Sequence, residues 1–125
     1  MTDHTFIILC GVYCLAFAVF HLRFSRLFNW HEELEKVSPV NKAIVYIFNQ
    51  RLIYLFVFIA IMCFAYTEEL ATTSLGNFFL IGMSLFWLGR TIEQFVYVRI
   101  DHPLNHLLRY VFLLGAILFA IPVVM

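Results

Sequence analysis

Residues 20–42 read FHLRFSRLFNWHEELEKVSPVNK. They decide the fold, because one apolar run ends in them, four of the chain's eight Lys and Arg residues gather in them, and a second apolar run starts from them. Upstream, Phe6 to Phe24 is apolar over the roughly 20 residues that a helix needs to cross a bilayer. Downstream, the chain restarts at Ser38-Pro39, a helix cap followed by proline at the first helical position, and stays apolar to about Tyr66. Between the two, Leu27, Trp30, His31, Leu34 and Val37 recur at helical spacing, with Arg26, Glu32, Glu33 and Lys36 on the other face. That pattern predicts a short amphipathic segment in the membrane interface, with Trp30 at headgroup depth and Asn29 and Glu32 spaced as a capping box.

The rest of the chain repeats this alternation. A loop from Thr67 to Ser74 carries Glu68 and Glu69 without a cation, and Ser74 is the expected cap of a third span ending near Val98. Asp101, ahead of Pro103, is the expected cap of a fourth that runs to the C-terminus. The expected class is an all-α integral membrane protein, a single domain of residues 1–125. Four transmembrane helices, about 6–24, 39–66, 75–98 and 103–125, form an antiparallel bundle. Arg23, Arg26, Lys36, Lys42 and Arg99 flank the first and third loops and avoid the second, so the positive-inside rule predicts both termini outside, as in a bacterial inner-membrane protein.

Composition agrees with a membrane protein and narrows the function classes. Of 125 residues, 63% are hydrophobic, 18% aromatic and 13% charged, and mean hydropathy is +0.90. A soluble domain carries about 25% charged residues. Four spans leave no length for a soluble catalytic domain, which weighs against an enzyme. Zero formal net charge leaves no basic excess of the kind that drives nucleic-acid binding. Cys10, Cys14 and Cys63 all fall inside apolar runs, where core packing explains them better than a disulfide framework or a soft metal site. The first apolar run ends in His21, Leu22 and Arg23 without a small-residue cleavage pattern, and the expectation is a retained helix.

Three arginines are not required by topology. Arg51 lies nine residues beyond Lys42 and Arg90 nine before Arg99, which puts both about 13 Å from the basic ends of their helices. Arg109 is shallower. Charges inside a span are expensive and face the bundle interior or a cavity. On the third span Trp87, Arg90, Glu93, Gln94 and Tyr97 share a stripe. On the fourth His102, Asn105, His106, Arg109 and Leu113 do, and on the first Cys10, Cys14, Ala18, His21 and Ser25. Asn49, Gln50 and Arg51 are consecutive and cannot all point inward; the expectation is Arg51 with one of the amides.

Glu93 is the one carboxylate expected among these three arginines. An anion that completes the balance is therefore the favoured functional reading, because the guanidinium fork suits phosphate and carboxylate oxygens. Arg51, Arg90, Glu93, Gln94, Arg109, Asn49 and Tyr97 are its candidate ligand-binding residues, and the ligand is an anionic small molecule or a membrane lipid headgroup, with transport as one use of such a site. Catalytic residues are not assigned. Against this stands a purely structural reading, in which Arg109 reaches the headgroups and Arg90 or Arg51 pairs with Glu93. Expected partners are lipid, further copies in a homo-oligomer, or other membrane subunits to which the chain is an accessory. A third reading is a haem or transition-metal redox protein: His102 and His106 are four apart, and with His21 they form a candidate ligand set.

Overall fold

Helix starts and stops follow capping chemistry that the sequence carries in outline and the tertiary structure settles in detail. The computed structural model describes residues 3–125; it is 87% helical and contains no strand among the described residues. In chain order the elements are α1 (Asp3–Leu22), α2 (Phe24–Leu27), α3 (Trp30–Glu33), α4 (Pro39–Ala65), α5 (Thr67–Thr72), α6 (Ser74–Tyr97) and α7 (Pro103–Val124). Of these α1, α4, α6 and α7 are long and apolar enough to cross a membrane. At about 1.5 Å per residue they measure roughly 30 to 40 Å, against a hydrocarbon core of about 30 Å. The chain is a multi-pass membrane protein by this measure.

Pro39 opens α4, and the Asn41 N–H donates to Ser38 Oγ at 3.3 Å. Two other caps sit one residue away from their expected positions. Thr73, extended at φ −107° and ψ 156°, caps α6 and accepts from the Gly76 N–H at 3.0 Å. Ser74 is already helical. His102 rather than Asp101 caps α7, with Nδ1 accepting from the Leu104 N–H at 3.1 Å. The cause is Pro103, whose ring holds the preceding residue in extended backbone and so fixes His102 as the last non-helical position.

Two connections also differ from expectation. The acidic loop contains a helix, α5, with Glu68 and Glu69 in its first turn, where carboxylates complement the exposed N–H groups. The interfacial segment is not one amphipathic helix but two single turns, α2 and α3, broken at Asn29 with φ 53°. Asn29 Nδ2 donates to Glu32 Oε2 at 3.1 Å and its side chain does not cap α3. Trp30 instead packs edge-on against Tyr46, with ring centroids 5.2 Å apart.

The sequence predicts one domain; the chain's contacts gather into two compact units. One holds Asp3–Cys10 with residues 63–125, the other Gly11–Met62. In the first unit α6 and α7 run antiparallel. Trp87 stacks on Phe112 with centroids 5.9 Å apart, Ser84 Oγ donates to the Ala116 carbonyl at 2.7 Å, and Leu80 and Phe119 are fully buried. Cys10 Sγ donates to the Leu118 carbonyl at 3.3 Å. In the second unit Phe17 meets Phe56 at 6.1 Å, beside the buried Cys14, Ala18 and Ala60.

At Gly76 the backbone of α5 packs directly against α6. A Cβ there would stand 2.3 Å from the Leu70 carbonyl oxygen and 2.5 Å from its Cα, both backbone atoms that cannot swing aside. Overpacking of this kind costs about 1–3 kcal/mol. Gly76→Ala is therefore expected to lower thermal stability in detergent, read by circular dichroism. Gly82→Ala, where a Cβ meets nothing within 4 Å, should leave it unchanged or raised.

Candidate functional site

The turn between α6 and α7 gathers most of the polar chemistry of the first unit, and one buried amide holds it closed. Asn105 Oδ1 accepts from Gln94 Nε2 at 2.9 Å, while its Nδ2 donates to the Val98 carbonyl at 3.1 Å and the Ile100 carbonyl at 2.7 Å. Both amide side chains are buried, Gln94 at 4% and Asn105 at 4% exposure. In this way Asn105 gives a partner to the carbonyl of Val98, the C-cap residue of α6, and adds a second donor at Ile100, whose carbonyl also accepts from the His102 N–H at 3.0 Å.

Beside that turn is a shallow recess lined by Phe95, Arg99, Ile100, Asp101, His106 and Arg109. A hydrogen-bonded chain runs along it. Arg109 Nη1 donates to His106 Nδ1 at 3.4 Å, and His106 Nε2 donates to Asp101 Oδ1 at 2.9 Å, an assignment that the neutral Nε2–H imidazole satisfies at both nitrogens. The Arg109 guanidinium lies 4.3 Å from the Phe95 ring centroid. Its Nε is buried and has no acceptor. Arg99 donates from Nε to the Val96 carbonyl of its own helix at 3.1 Å. Neither Arg99 nor Arg109 has a carboxylate partner among the described residues. The hydrogen bond from His106 holds the exposed Asp101 carboxyl below the usual carboxylate range.

The other candidates distribute differently from the stripes read in sequence. The inward face of α6 is Leu80, Trp87, Thr91 and Gln94, so Arg90 and Glu93 stand one position to one side of it and Phe95 one position to the other. Arg90 Nη1 donates to Glu93 Oε1 at 3.2 Å and Nη2 to Gln94 Oε1 at 3.4 Å, with the guanidinium 4.4 Å from the Phe112 centroid. Glu93 is half exposed, and Tyr97, at 81% exposure, is far from interior. On α7 the buried set is Asn105, Phe112, Gly115, Ala116, Phe119 and Pro122. His102, His106 and Leu113 are exposed and Arg109 is half-buried.

In the second unit the polar side chain that turns inward is Asn49, and Arg51 does not join it. Asn49 Nδ2 donates to the His21 carbonyl at 2.9 Å, and His21 Nδ1 meets Asn49 Oδ1 at 3.0 Å. This two-way pair joins α1 to α4 inside a sleeve of Phe17, Phe24 and Phe56. Arg51 and Gln50 are exposed. The Arg51 guanidinium lies 5.7 Å from the Tyr54 centroid of its own helix. An arginine at the middle of a membrane helix costs about 2.5–3.5 kcal/mol on insertion scales, and this one has no carboxylate within the described chain.

The histidine set read as a metal or haem site is occupied otherwise. His21 bonds Asn49, His102 caps α7 and His106 bonds Asp101. Among the described residues no group of three or more His, Cys, Asp or Glu stands close enough to hold a metal ion.

Comparison with protein-family models, with curated proteins and with solved structures gave no match. Arg99 and Asp101, set apart in sequence as a topology marker and a cap, belong to the site, and Phe95 was not signalled at all. The available signal was Pro103, which fixes the start of α7 and thereby the register that brings Asp101, His106 and Arg109 to one side.

A carboxyl whose pKa is depressed in the folded state adds stability above its unfolded value of about 3.9 and loses it as pH falls through the folded value. Carbon-detected NMR titration of Asp101 is expected to give a midpoint below about 3.9. His106→Ala should raise that midpoint toward the ordinary value, and an unchanged midpoint would show that His106 is not the cause.

Proposed function

We propose that this protein binds an anionic oxygen group, a phosphate or carboxylate, in the recess at the α6–α7 turn. The observation that carries the reading is the pair Arg99 and Arg109: two guanidinium groups without a carboxylate partner, beside one recess, with one buried Nε lacking an acceptor. Arg109 contributes a fork already oriented by Phe95 and His106, and Arg99 a second cation from the turn. Charge-assisted hydrogen bonds to such oxygens are shorter and about twice as strong as neutral ones. Arg90 has a lesser part, since Glu93 and Gln94 already take its donors. Glu93, Tyr97, Asn49 and Arg51 stand outside the recess residues and are left out of this binding set.

In the full reading the four spans form one antiparallel bundle in a bacterial inner membrane, with both termini outside and the recess at the cytoplasmic surface. That level is where anionic phospholipid headgroups and soluble metabolites are both present. Phe95 and Ile100, exposed in the recess lining, are the apolar surface that acyl chains would cover if the anion is a lipid.

Native mass spectrometry of gently solubilised protein is expected to show retained anionic phospholipid, and a fluorescent aryl phosphate should bind in its place if the ligand is soluble. Charged hydrogen bonds contribute about 1.5–3 kcal/mol each, so Arg109→Gln should weaken retention by roughly tenfold or more, and Arg99→Gln with Arg109→Gln should abolish it. Retention unaffected by the double substitution would overturn the reading. For the orientation, a tag on either terminus should be removed by protease added to intact spheroplasts, and protection of both tags would reverse the assigned sidedness.

A further inference from the structure

Arg51 faces outward from the middle of α4, next to Gln50, whose exposed side chain makes no hydrogen bond among the described residues. Lipid chains can cover the apolar members of that stripe, Ile47, Tyr54, Phe58 and Ile61, all about half exposed. They cannot satisfy a guanidinium and a primary amide. The stripe needs a polar partner at membrane depth.

The chain carries one such partner. Apart from Asp3 in the first turn of α1, Glu93 is the one carboxylate in the four long helices. Its side chain is 54% exposed, and Arg90 engages Oε1, leaving Oε2 without a partner among the described residues. Glu93 shares its face of α6 with Gly82, Phe86 and Gly89, at spacings of four, three and four. A Cβ on Gly82 or Gly89 would meet nothing within 4 Å, so no contact inside the chain calls for glycine there. Glycine weakens a helix, and on a membrane helix it lets a second helix approach closely.

We propose that the Ile47–Arg51–Tyr54–Phe58 face of α4 docks on the Gly82–Phe86–Gly89–Glu93 face of α6 in a second copy of this chain, with Arg51 paired to Glu93. Charge complementarity carries the choice of occupant, and the register supports it. Measured along each helix from its basic end, Arg51 stands about 13 Å from Lys42 and Glu93 about 9 Å from Arg99, a difference that the two side chains span. In the same register Tyr54 and Phe58, at about 18 and 24 Å, meet Gly89 and Gly82, at about 15 and 25 Å, large rings against bare backbone. The two faces lie on different helices of one protomer, so the contact is head-to-tail and closes into a ring or extends as a chain.

The test is energy transfer between labelled full-length chains in vesicles of a zwitterionic lipid, which keeps anion binding out of the measurement. Wild-type chains should associate. Arg51→Glu alone and Glu93→Arg alone should each need at least tenfold more protein per lipid to associate, and an equal mixture of the two should recover association, because each copy supplies the charge that the other has reversed. Gly82→Leu should cause a similar loss with helicity and melting unchanged, and it keeps the test decisive if the charge reversals do not fold.

Three results would overturn the proposal. One is monomeric wild-type protein at every protein-to-lipid ratio. Another is association lost in Arg51→Glu but untouched by Glu93→Arg and Gly82→Leu, which would mean a symmetric contact of α4 with itself. The last is rescue when both reversals are on one chain but not when the single variants are mixed, which would place the pair within a protomer.

Discussion

The Asn105 side chain, accepting from Gln94 and donating to the carbonyls of Val98 and Ile100, is the contact on which the α6–α7 hairpin depends. A helix that ends within or near a membrane leaves its last carbonyls without partners, and a buried unpaired polar group costs about 1–3 kcal/mol. Asn105 removes that cost at Val98 and ties the turn a second time at Ile100. It also fixes where α7 begins relative to α6, which sets the pairing of Trp87 with Phe112 and of Ser84 with Ala116. The recess lies in the same register, where Phe95 comes under Arg109 one residue along from the Gln94–Asn105 bond.

Two polar arrangements with different purposes coexist on α6. Gln94 looks inward and is used for folding. Arg90 and Glu93 lie on one flank, paired with each other and half uncovered, while Phe95 lies on the other flank under Arg109. A step of one residue is about 100° of helix rotation, enough to separate residues that a spacing of three or four groups on a single stripe. That is why the expected convergence of Arg90, Glu93, Gln94 and Tyr97 on one interior site is divided between two sides.

The second unit follows the same logic with a different outcome. His21 and Asn49 use each other's polar groups to join α1 and α4, so both are engaged in helix pairing. Once Asn49 turns inward, the helical period sends Gln50 and Arg51 outward. The charge that sequence places in an interior is thus left on a surface that lipid cannot satisfy.

Length and apolarity alone determined the four long helices, because a segment of about 20 apolar residues has few alternatives to a membrane helix. Pro39 and Pro103 likewise fixed two helix starts through their backbone geometry. Local sequence was less informative at Asn29, where a left-handed residue splits the interfacial segment, and in Thr67–Thr72, where two glutamates support a helix rather than a loop. The site was legible only as a set of residue types: Arg109 and His106 were visible as polar groups near one helix end, Arg99 and Asp101 had other evident uses, and Phe95 had no signal. Tertiary structure decided which arginine acquires a carboxylate, which amide faces the core and which cations are left open. Those outcomes depend on helix rotation and on which neighbour arrives, and at 3.6 residues per turn a one-residue difference in the buried face reassigns all of them.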